Sequence, residues 1–206
     1  AAGHPVLVSD VRKDYVDALN DRHIDTKEPE VQNLLREAER FEATSDNRRV
    51  IRECDLIYTL VPTPSLEDGS YDVSAIWAVV EDFKTEMSGI ANYPKNFVIG
   101  STTNPGNCRE FRNALPPSVK VFYNPEFIAQ GSIVKNLREA DMVLLGHDAE
   151  PFVSNEQVIT DIMNLYKKIQ TTRAIVCQMS LTAAEITKIA VNCYLTTKIS
   201  YANMLG

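Results

Sequence analysis

The sequence predicts an α/β protein in which a mostly parallel sheet is covered by helices on both faces. Two observations predict this class: the alternation of strand-like and helix-like segments, and the length of the chain. Short apolar runs alternate along the chain with longer segments whose apolar residues recur at helical spacing. Such alternation is typical of parallel strands joined by helical crossovers, since those strands are buried on both faces. The length of 206 residues is enough for one large domain with a proper core.

The elements follow from these runs in chain order. Strands are predicted at residues 5–9, 55–61, 96–100, 119–123, 142–146 and 173–177. Helices are predicted at residues 12–20, 28–42, 72–84 and 155–168, the second with Pro29 in its first turn. A long helix starts at Met179. The predicted organisation is therefore a sheet domain at 1–178 and the start of a linking helix at 179–206.

Composition argues against several classes of function. The chain has 21 Lys and Arg against 28 Asp and Glu, a net charge of −7 that disfavours nucleic-acid or anionic membrane partners. No apolar run approaches the roughly 20 residues of a membrane span, and the first residues lack a secretory signal. The four cysteines have no metal-ligand spacing, so we expect no metal site or disulfide framework and a reducing, cytoplasmic setting.

Polar residues follow several predicted strands, and ligands of parallel sheets bind beyond the carboxyl ends of the strands. Asp10 follows the first strand, where a carboxylate can hold an adenosine ribose or simply cap a helix. The glycine-rich turn that would precede it is missing. The sequence therefore predicts a Rossmann-type, doubly wound sheet that lacks its first strand, in an incompletely represented protein.

Two further strand ends carry hydroxyl groups. Thr63 lies in Val61-Pro-Thr-Pro64, and Ser101 and Thr102 open Ser101-Thr-Thr-Asn-Pro-Gly106. We expect free hydroxyls at ligand height in both loops, with Gly106 allowing close backbone approach. Taken singly, each loop is better explained as an ordinary turn rich in Ser, Pro and Gly.

Glu185, Lys188 and Asn192 share one face of the last helix, because their spacing is three and then four. Apolar residues surround them. A lysine on a largely apolar helix needs a partner, since burying an unpaired charge is costly. One explanation is a Glu185–Lys188 salt bridge at the polar edge of an amphipathic helix, and the other is a functional site.

The ordered set of motifs decides between these explanations. Besides the two loops and the helix, the chain contains Leu66-Glu-Asp-Gly69, Tyr123-Asn-Pro-Glu-Phe-Ile-Ala-Gln-Gly131, Asp141 to Gly146 and Lys198-Ile-Ser200. In this order they resemble the UDP-glucose/GDP-mannose dehydrogenase family, most closely the UDP-glucose 6-dehydrogenases. The resemblance covers essentially the whole chain.

The resemblance implies an NAD-dependent enzyme that oxidises the primary alcohol of a UDP-sugar twice to a uronate, through an aldehyde and a cysteine-bound thioester. It also implies a homodimer, or a higher homo-oligomer, built on the long helix. The cofactor-binding residues would be Asp10, Val61, Thr63, Pro64, Ser101, Thr102 and Gln130. The substrate-binding residues would be Glu126, Phe127, Ile128, Gln130, Lys188 and Asn192. The catalytic residues would be Thr102, which positions a water, Glu126 as acid/base, and Lys188 and Asn192 as stabilisers of a negative oxygen.

The chain also departs from the family pattern. Gln130 stands where relatives usually carry an acid, Tyr15 where some carry a basic residue, and Asn104 where a second proline is usual. No cysteine of this chain lies in the context of the family's nucleophile. Two rival functions stay open: a sister dehydrogenase acting on GDP-mannose or a UDP-N-acetylhexosamine, and a non-catalytic nucleotide-binding relative.

Overall fold

A computed structural model of the protein describes residues 3–88, 94–148 and 156–206. The strands are β1 (Val6–Ser9), β2 (Phe41–Thr44), β3 (Leu56–Thr59), β4 (Lys95–Ile99), β5 (Val119–Tyr123), β6 (Met142–His147) and β7 (Ile175–Met179). The helices are α1 (Lys13–Asn20), α2 (Val31–Arg36), α3 (Asn47–Glu53), α4 (Ser74–Met87), α5 (Asn107–Ala114), α6 (Ile133–Arg138), α7 (Glu156–Ile169) and α8 (Leu181–Leu205).

The described strands form two sheets. β1 and β2 make a parallel pair, and the other strands form a sheet in the order β3-β4-β5-β6-β7. Every neighbouring pair of the larger sheet is parallel except β5 with β6. No hydrogen-bonded pairing joins β1 to β3 among these strands. The predicted α/β class and mostly parallel sheet are confirmed.

Helices cover both faces of the larger sheet because neighbouring residues of β4 point to opposite sides. Phe97 and Ile99 pack with helices α4 and α5, while Val98 packs with Ile159 and Ile162 of α7. All three β4 residues are completely buried. The continuous apolar run of β4 is thus explained by two hydrophobic cores, one on each face.

The predicted helix at 28–42 is wrong. The structure has the short helix α2, then the strand β2, and then α3, which sequence periodicity did not reveal. Glu30 adopts a left-handed conformation with φ of 66° before α2, so the helix cannot begin at Pro29. Parallel pairing with β1 and burial of Ala43 stabilise β2 against the helix propensity of its surroundings.

The boundary before the last helix also differs from the prediction. β7 continues through Met179, which pairs with Gly146 of β6, and Ser180 caps α8 by accepting a hydrogen bond from the Ala183 amide. The other bounded predictions agree with the structure to within three residues. The predicted start of a helix at residue 155 lies outside the described residues.

Helix α8 approaches the sheet closely at Gly146. A Cβ atom added there would lie 2.8 Å from the Ala184 Cβ and 3.3 Å from the Leu181 Cα. Leu181 and Ala184 are buried in the larger core. The glycine is therefore required for α8 to pack this closely against β6. This contact sets the distance between the first half of α8 and the sheet.

We predict that Gly146→Ala destabilises the fold by roughly 2 kcal/mol, because helix backbone and side chain must both move to admit the methyl group. Thermal or urea unfolding of the variant measures the loss.

The matched control is Ala184→Gly, alone and combined with Gly146→Ala. The double variant should lose less stability than the sum of the two single losses, since removing the Ala184 methyl group relieves the shortest contact. Strictly additive losses would show that the Gly146–Ala184 contact does not limit the approach of α8.

Candidate functional site

The loops after β3 and β4 are tied to each other by side chains. The Ser101 hydroxyl donates to the Val61 carbonyl at 2.7 Å. The Asn104 side chain accepts from the Tyr71 amide at 2.8 Å and donates to the Tyr71 carbonyl at 2.9 Å. The expectation of a free hydroxyl at Ser101 is therefore wrong. Asn104 bonds both backbone groups of Tyr71, and a proline at its position could not form these side-chain bonds.

The hydroxyls of Thr63 and Thr102 differ from that of Ser101. Neither forms a hydrogen bond with another residue in the described parts of the chain, and both residues are half-buried. They therefore remain available to a ligand beyond the strand ends.

The loop after β5 begins at Asn124, which is buried and hydrogen-bonded through both atoms of its side-chain amide. Its carbonyl oxygen Oδ1 accepts from the hydroxyls of Tyr58 at 3.3 Å and Tyr166 at 2.8 Å. Its Nδ2 donates to the Leu144 carbonyl at 2.8 Å. These contacts fix the start of the segment that carries Glu126. Sequence reasoning placed Asn124 on the rim but missed the two tyrosines, which are far from it in sequence.

Lys188 reaches this loop from α8. Lys188 is only 8% exposed. Its Nζ donates to the Glu126 backbone carbonyl at 2.5 Å and lies 4.5 Å from the centre of the Phe127 ring. Of its three N–H groups, only one is taken by a described residue. No carboxylate in the described ranges forms a salt bridge with it. Lys188 is therefore a buried cation that has no direct counter-ion among the described residues and has hydrogen-bonding capacity left over.

Burial shifts the pKa values of Lys188 and Glu126 in opposite directions. Desolvation lowers the pKa of the Lys188 ammonium, although the nearby Glu126 charge opposes the shift. Desolvation raises the pKa of the half-buried Glu126 carboxyl, and the charge of Lys188 partly opposes this shift. The Glu126 carboxylate has no hydrogen-bond partner in the described part of the chain. Both groups are therefore moved towards the pH range in which proton transfer is efficient.

Glu185 does not pair with Lys188, so the salt-bridge explanation is wrong. It is completely buried and accepts from the Thr103 hydroxyl at 3.0 Å, the Gly106 amide at 2.7 Å and the Cys108 amide at 2.8 Å. These donors belong to the loop after β4 and the first turn of α5. The expectation of a free hydroxyl is thus also wrong for Thr103.

Asp10 lies at the end of β1, on the smaller sheet. Its carboxylate accepts from the Arg12 amide at 2.8 Å and from the Arg12 guanidinium, which stacks over Tyr15. Partial burial acts to raise the pKa of Asp10, but the hydrogen bonds from Arg12 outweigh it and hold that pKa below its usual value. The alternative explanation of Asp10 as a helix cap is wrong, because the N-cap residue of α1 is Arg12 and no side chain caps this helix. The Asp10 carboxylate stays partly exposed.

The remaining predicted site residues lie at the borders of this region. Pro64 is exposed and its carbonyl accepts from the Asp72 amide at 2.8 Å. Ile128 is half-buried and Gln130 is exposed. Asn192 is half-buried one turn beyond Lys188, and its side chain makes no hydrogen bond to the described residues.

The described ranges contain neither a candidate metal site nor a candidate membrane span. No three His, Cys, Asp or Glu side chains there are grouped to hold a metal ion. None of the helices in those ranges is both long and apolar enough to cross a membrane.

Comparison with known proteins places these contacts in a family context. Residues 1–170 match the family model described as UDP-glucose/GDP-mannose dehydrogenase family, NAD binding domain. A putative UDP-glucose 6-dehydrogenase of Bacillus subtilis is 27% identical over 210 residues, which cover 99% of this chain and 46% of that protein. The chain thus spans about half the length of the relatives it matches.

Solved structures agree with this match. A UDP-glucose dehydrogenase from the hyperthermophilic archaeon Pyrobaculum islandicum superimposes with a TM-score of 0.85 at 25% identity, over 99% of this chain and 47% of that one. A GDP-mannose dehydrogenase from Pseudomonas aeruginosa, solved as a ternary complex, gives a TM-score of 0.84 at 22% identity, over 98% and 47%. The second similarity concerns the fold alone.

The two buried lysines of this chain give a test of the site. Lys95 is 2% exposed, but its ammonium donates to the Arg52 and Cys54 carbonyls at the end of α3. Lys95→Met should therefore lower the free energy of unfolding by about 2 kcal/mol. Lys188→Met should leave the melting temperature equal or higher at neutral pH, because it removes a buried charge that lacks a direct counter-ion.

The pH dependence follows from the lowered pKa of Lys188. Between that pKa and the usual value of 10.5, the unfolded protein binds more protons than the folded one, so wild-type stability rises with pH. The advantage of Lys188→Met should therefore shrink as the pH rises through this window, as measured by thermal unfolding. Equal destabilisation by both substitutions would mean that Lys188 is a structural lysine like Lys95.

Proposed function

Because the chain belongs to the UDP-glucose/GDP-mannose dehydrogenase family, we propose that it is the first half of an NAD-dependent enzyme that oxidises the primary alcohol of a nucleotide sugar. Residues 1–178 form its NAD-binding domain in this proposal, and residues 179–206 begin the helix that links it to the rest of the enzyme. The non-catalytic alternative is disfavoured because Glu126, Lys188 and Asn192 are all retained with unused hydrogen-bonding capacity.

Lys188 is the observation that carries the proposal. Its ammonium is nearly buried, has two N–H groups free of described partners and is held in place by the Glu126 carbonyl. Oxidation of an alcohol through a carbonyl places negative charge on the reacting oxygen, and a preorganised donor in a poorly solvated site stabilises such charge strongly. Asn192, one turn further along the same face, would supply a second donor.

Glu126 would act as the acid/base residue of the hydrolytic step, in which water releases the uronate from a thioester. Its raised pKa and unpaired carboxylate suit proton transfer near neutral pH. The Thr102 hydroxyl, which has no partner among the described residues, would orient the attacking water. The network at Asn124 keeps the loop that carries Glu126 in place.

NAD is the cofactor of this domain family, and the strand-end residues fit it. The Asp10 carboxylate has accessible oxygen at the end of β1, where it can accept hydrogen bonds from the hydroxyls of a ribose. Val61, Thr63, Pro64, Ser101 and Thr102 lie in the loops after β3 and β4. When bound, NAD supplies the hydride acceptor. Ser101 would contribute by fixing the Val61 carbonyl, and Thr63 by offering a free hydroxyl.

UDP-glucose is the substrate we propose. The support is the Asn124-Pro-Glu-Phe127 form of the loop and the similarity to proteins named as UDP-glucose 6-dehydrogenases. Phe127 and Ile128, with Gln130, would contact the sugar nucleotide. The main rival is GDP-mannose, because a GDP-mannose dehydrogenase has a closely similar fold. Production of reduced NAD from each nucleotide sugar in turn by the intact enzyme discriminates between them.

Helix α8 supports a proposal of dimerisation. Only its first half carries buried residues, while Tyr194, Leu195, Ile199 and Tyr201 are each more than half exposed. Such an apolar surface is larger than isolated exposed side chains would explain. A second copy of the chain, paired along this helix, would cover it.

We propose that the protein is cytoplasmic. All four cysteines are free thiols, and Cys108 is buried. Unpaired thiols persist in a reducing compartment.

Lys188→Ala in the intact enzyme should lower kcat at least about a hundredfold, a loss of roughly 3 kcal/mol in transition-state stabilisation. Steady-state assays at saturating UDP-glucose and NAD measure it. Lys84→Ala, which removes an exposed lysine of α4, is the control and should leave kcat unchanged. Near-normal turnover of the Lys188 variant would exclude its role at the negative oxygen.

Glu126→Gln tests the hydrolytic step separately. If Glu126 serves only hydrolysis, the variant should give a burst of reduced NAD and then stop as a covalently acylated enzyme. Rapid-mixing absorbance detects the burst, and mass spectrometry of the intact protein detects the acyl group. Absence of both would assign Glu126 to an earlier step or to the structure alone.

A further inference from the structure

We infer that Glu185 is a positioning residue of the reaction, which holds the loop that carries Thr102 at a fixed place relative to Lys188. The inference rests on the proposed function, since it assigns Glu185 a part in that same site. Glu185 touches neither substrate nor cofactor in this proposal, and it acts through the two groups that do.

The contacts of Glu185 all go to one structural unit. Oε1 accepts from the Thr103 hydroxyl and the Cys108 amide, and Oε2 accepts from the Gly106 amide. The side chain is completely buried. Both oxygens of one carboxylate therefore bind the segment 103–108, which is continuous with Thr102.

Helix α5 needs this carboxylate because it cannot cap itself. Its N-cap residue is Gly106, with φ of 103°, and no side chain of the N-cap position is present to accept the first amides. An acceptor at that place normally comes from the N-cap side chain, and a negative group there also interacts favourably with the helix dipole. Glu185 supplies the acceptor from another helix. The same contact therefore caps α5 and joins α5 to α8.

The contact couples two catalytic candidates. Lys188 lies one turn after Glu185 on α8, and Thr102 lies one residue before Thr103 in the loop. The close approach at Gly146 fixes α8 on the sheet, and Glu185 then fixes the loop on α8. Displacements of about 1 Å in such groups can cost two orders of magnitude in rate. Loss of the carboxylate should thus affect turnover more than ligand affinity.

Glu185→Gln is the most direct variant. Its amide keeps the size of the carboxylate but replaces one acceptor oxygen by an N–H₂ group, which would face a backbone amide or the Thr103 hydroxyl. Thr103→Val is the milder variant, because it removes one of the three hydrogen bonds and leaves both backbone contacts. Glu81→Gln, at an exposed site on α4, is the matched control.

The experiment measures kcat and KM for both ligands, the melting temperature, and amide exchange at Gly106 and Cys108 in the intact enzyme. We expect Glu185→Gln to lower kcat at least about tenfold and to change both KM values by less than about threefold, with faster exchange at both amides. Thr103→Val should show a smaller loss of kcat in the same direction, and Glu81→Gln should match the wild type.

Combination with Thr102→Val tests the coupling itself. The additional loss of kcat caused by Glu185→Gln should be much smaller in the Thr102→Val background, because the hydroxyl to be positioned is then absent. Fully additive losses would overturn the inference, as would a folded Glu185→Gln or Thr103→Val enzyme with wild-type kcat despite faster exchange. If Glu185→Gln does not fold, Thr103→Val decides by the same criteria.

Failure of the proposed function has a different signature. If the wild-type enzyme forms no reduced NAD from any nucleotide sugar, the proposed reaction is wrong and Glu185 has no role in it. Slow exchange at the Gly106 and Cys108 amides would then still show the contact with Glu185.

Discussion

The structure depends on the close approach of helix α8 to strand β6. The absence of a side chain at Gly146 lets Ala184 and Leu181 pack directly on the sheet. At that distance from the sheet two buried polar residues of the helix reach their partners: Glu185 reaches the first turn of α5, and Lys188 reaches the loop after β5. A helix held farther away would leave both side chains buried without these partners, which is energetically unfavourable.

The same geometry explains which parts of the fold the sequence could predict. Strands β4 and β5 were found almost residue by residue, because continuous apolar runs bounded by turns are a strong local signal. β2 was missed because only Ala43 of its four residues is buried, while nearby Glu39 and Arg40 favour a helix. Its stability comes from pairing with β1, a contact that no local pattern records.

Motif recognition named Glu185 and Lys188 together but could not separate their contacts. Glu185 and Lys188 share a helical face, and a salt bridge between them was a reasonable local explanation. Both side chains instead turn to different loops, because the larger sheet brings the ends of β4 and β5 next to each other. Which loop each side chain contacts depends on the strand order. The sequence shows that order only through the alternation of strands and helices.

The hydrogen bonds divide the polar residues of the rim into two groups. Ser101, Thr103 and Glu185 have their side chains bonded within the protein, and so does Asn124. A second group has side chains with hydrogen-bonding capacity left over among the described residues: Thr63, Thr102, Glu126, Lys188 and Asn192. Only Lys188 of this second group is buried, and buried polar groups are normally satisfied. Its unused capacity at the edge of a parallel sheet supports the proposal that a ligand completes the bonding there. The first group holds the loops after β3 and β4 and the start of the loop after β5. Within this frame Lys188 bonds the backbone carbonyl of Glu126 and forms no salt bridge with its carboxylate. Burial can therefore lower the pKa of Lys188 and raise that of Glu126, since each charge only partly compensates the desolvation of the other.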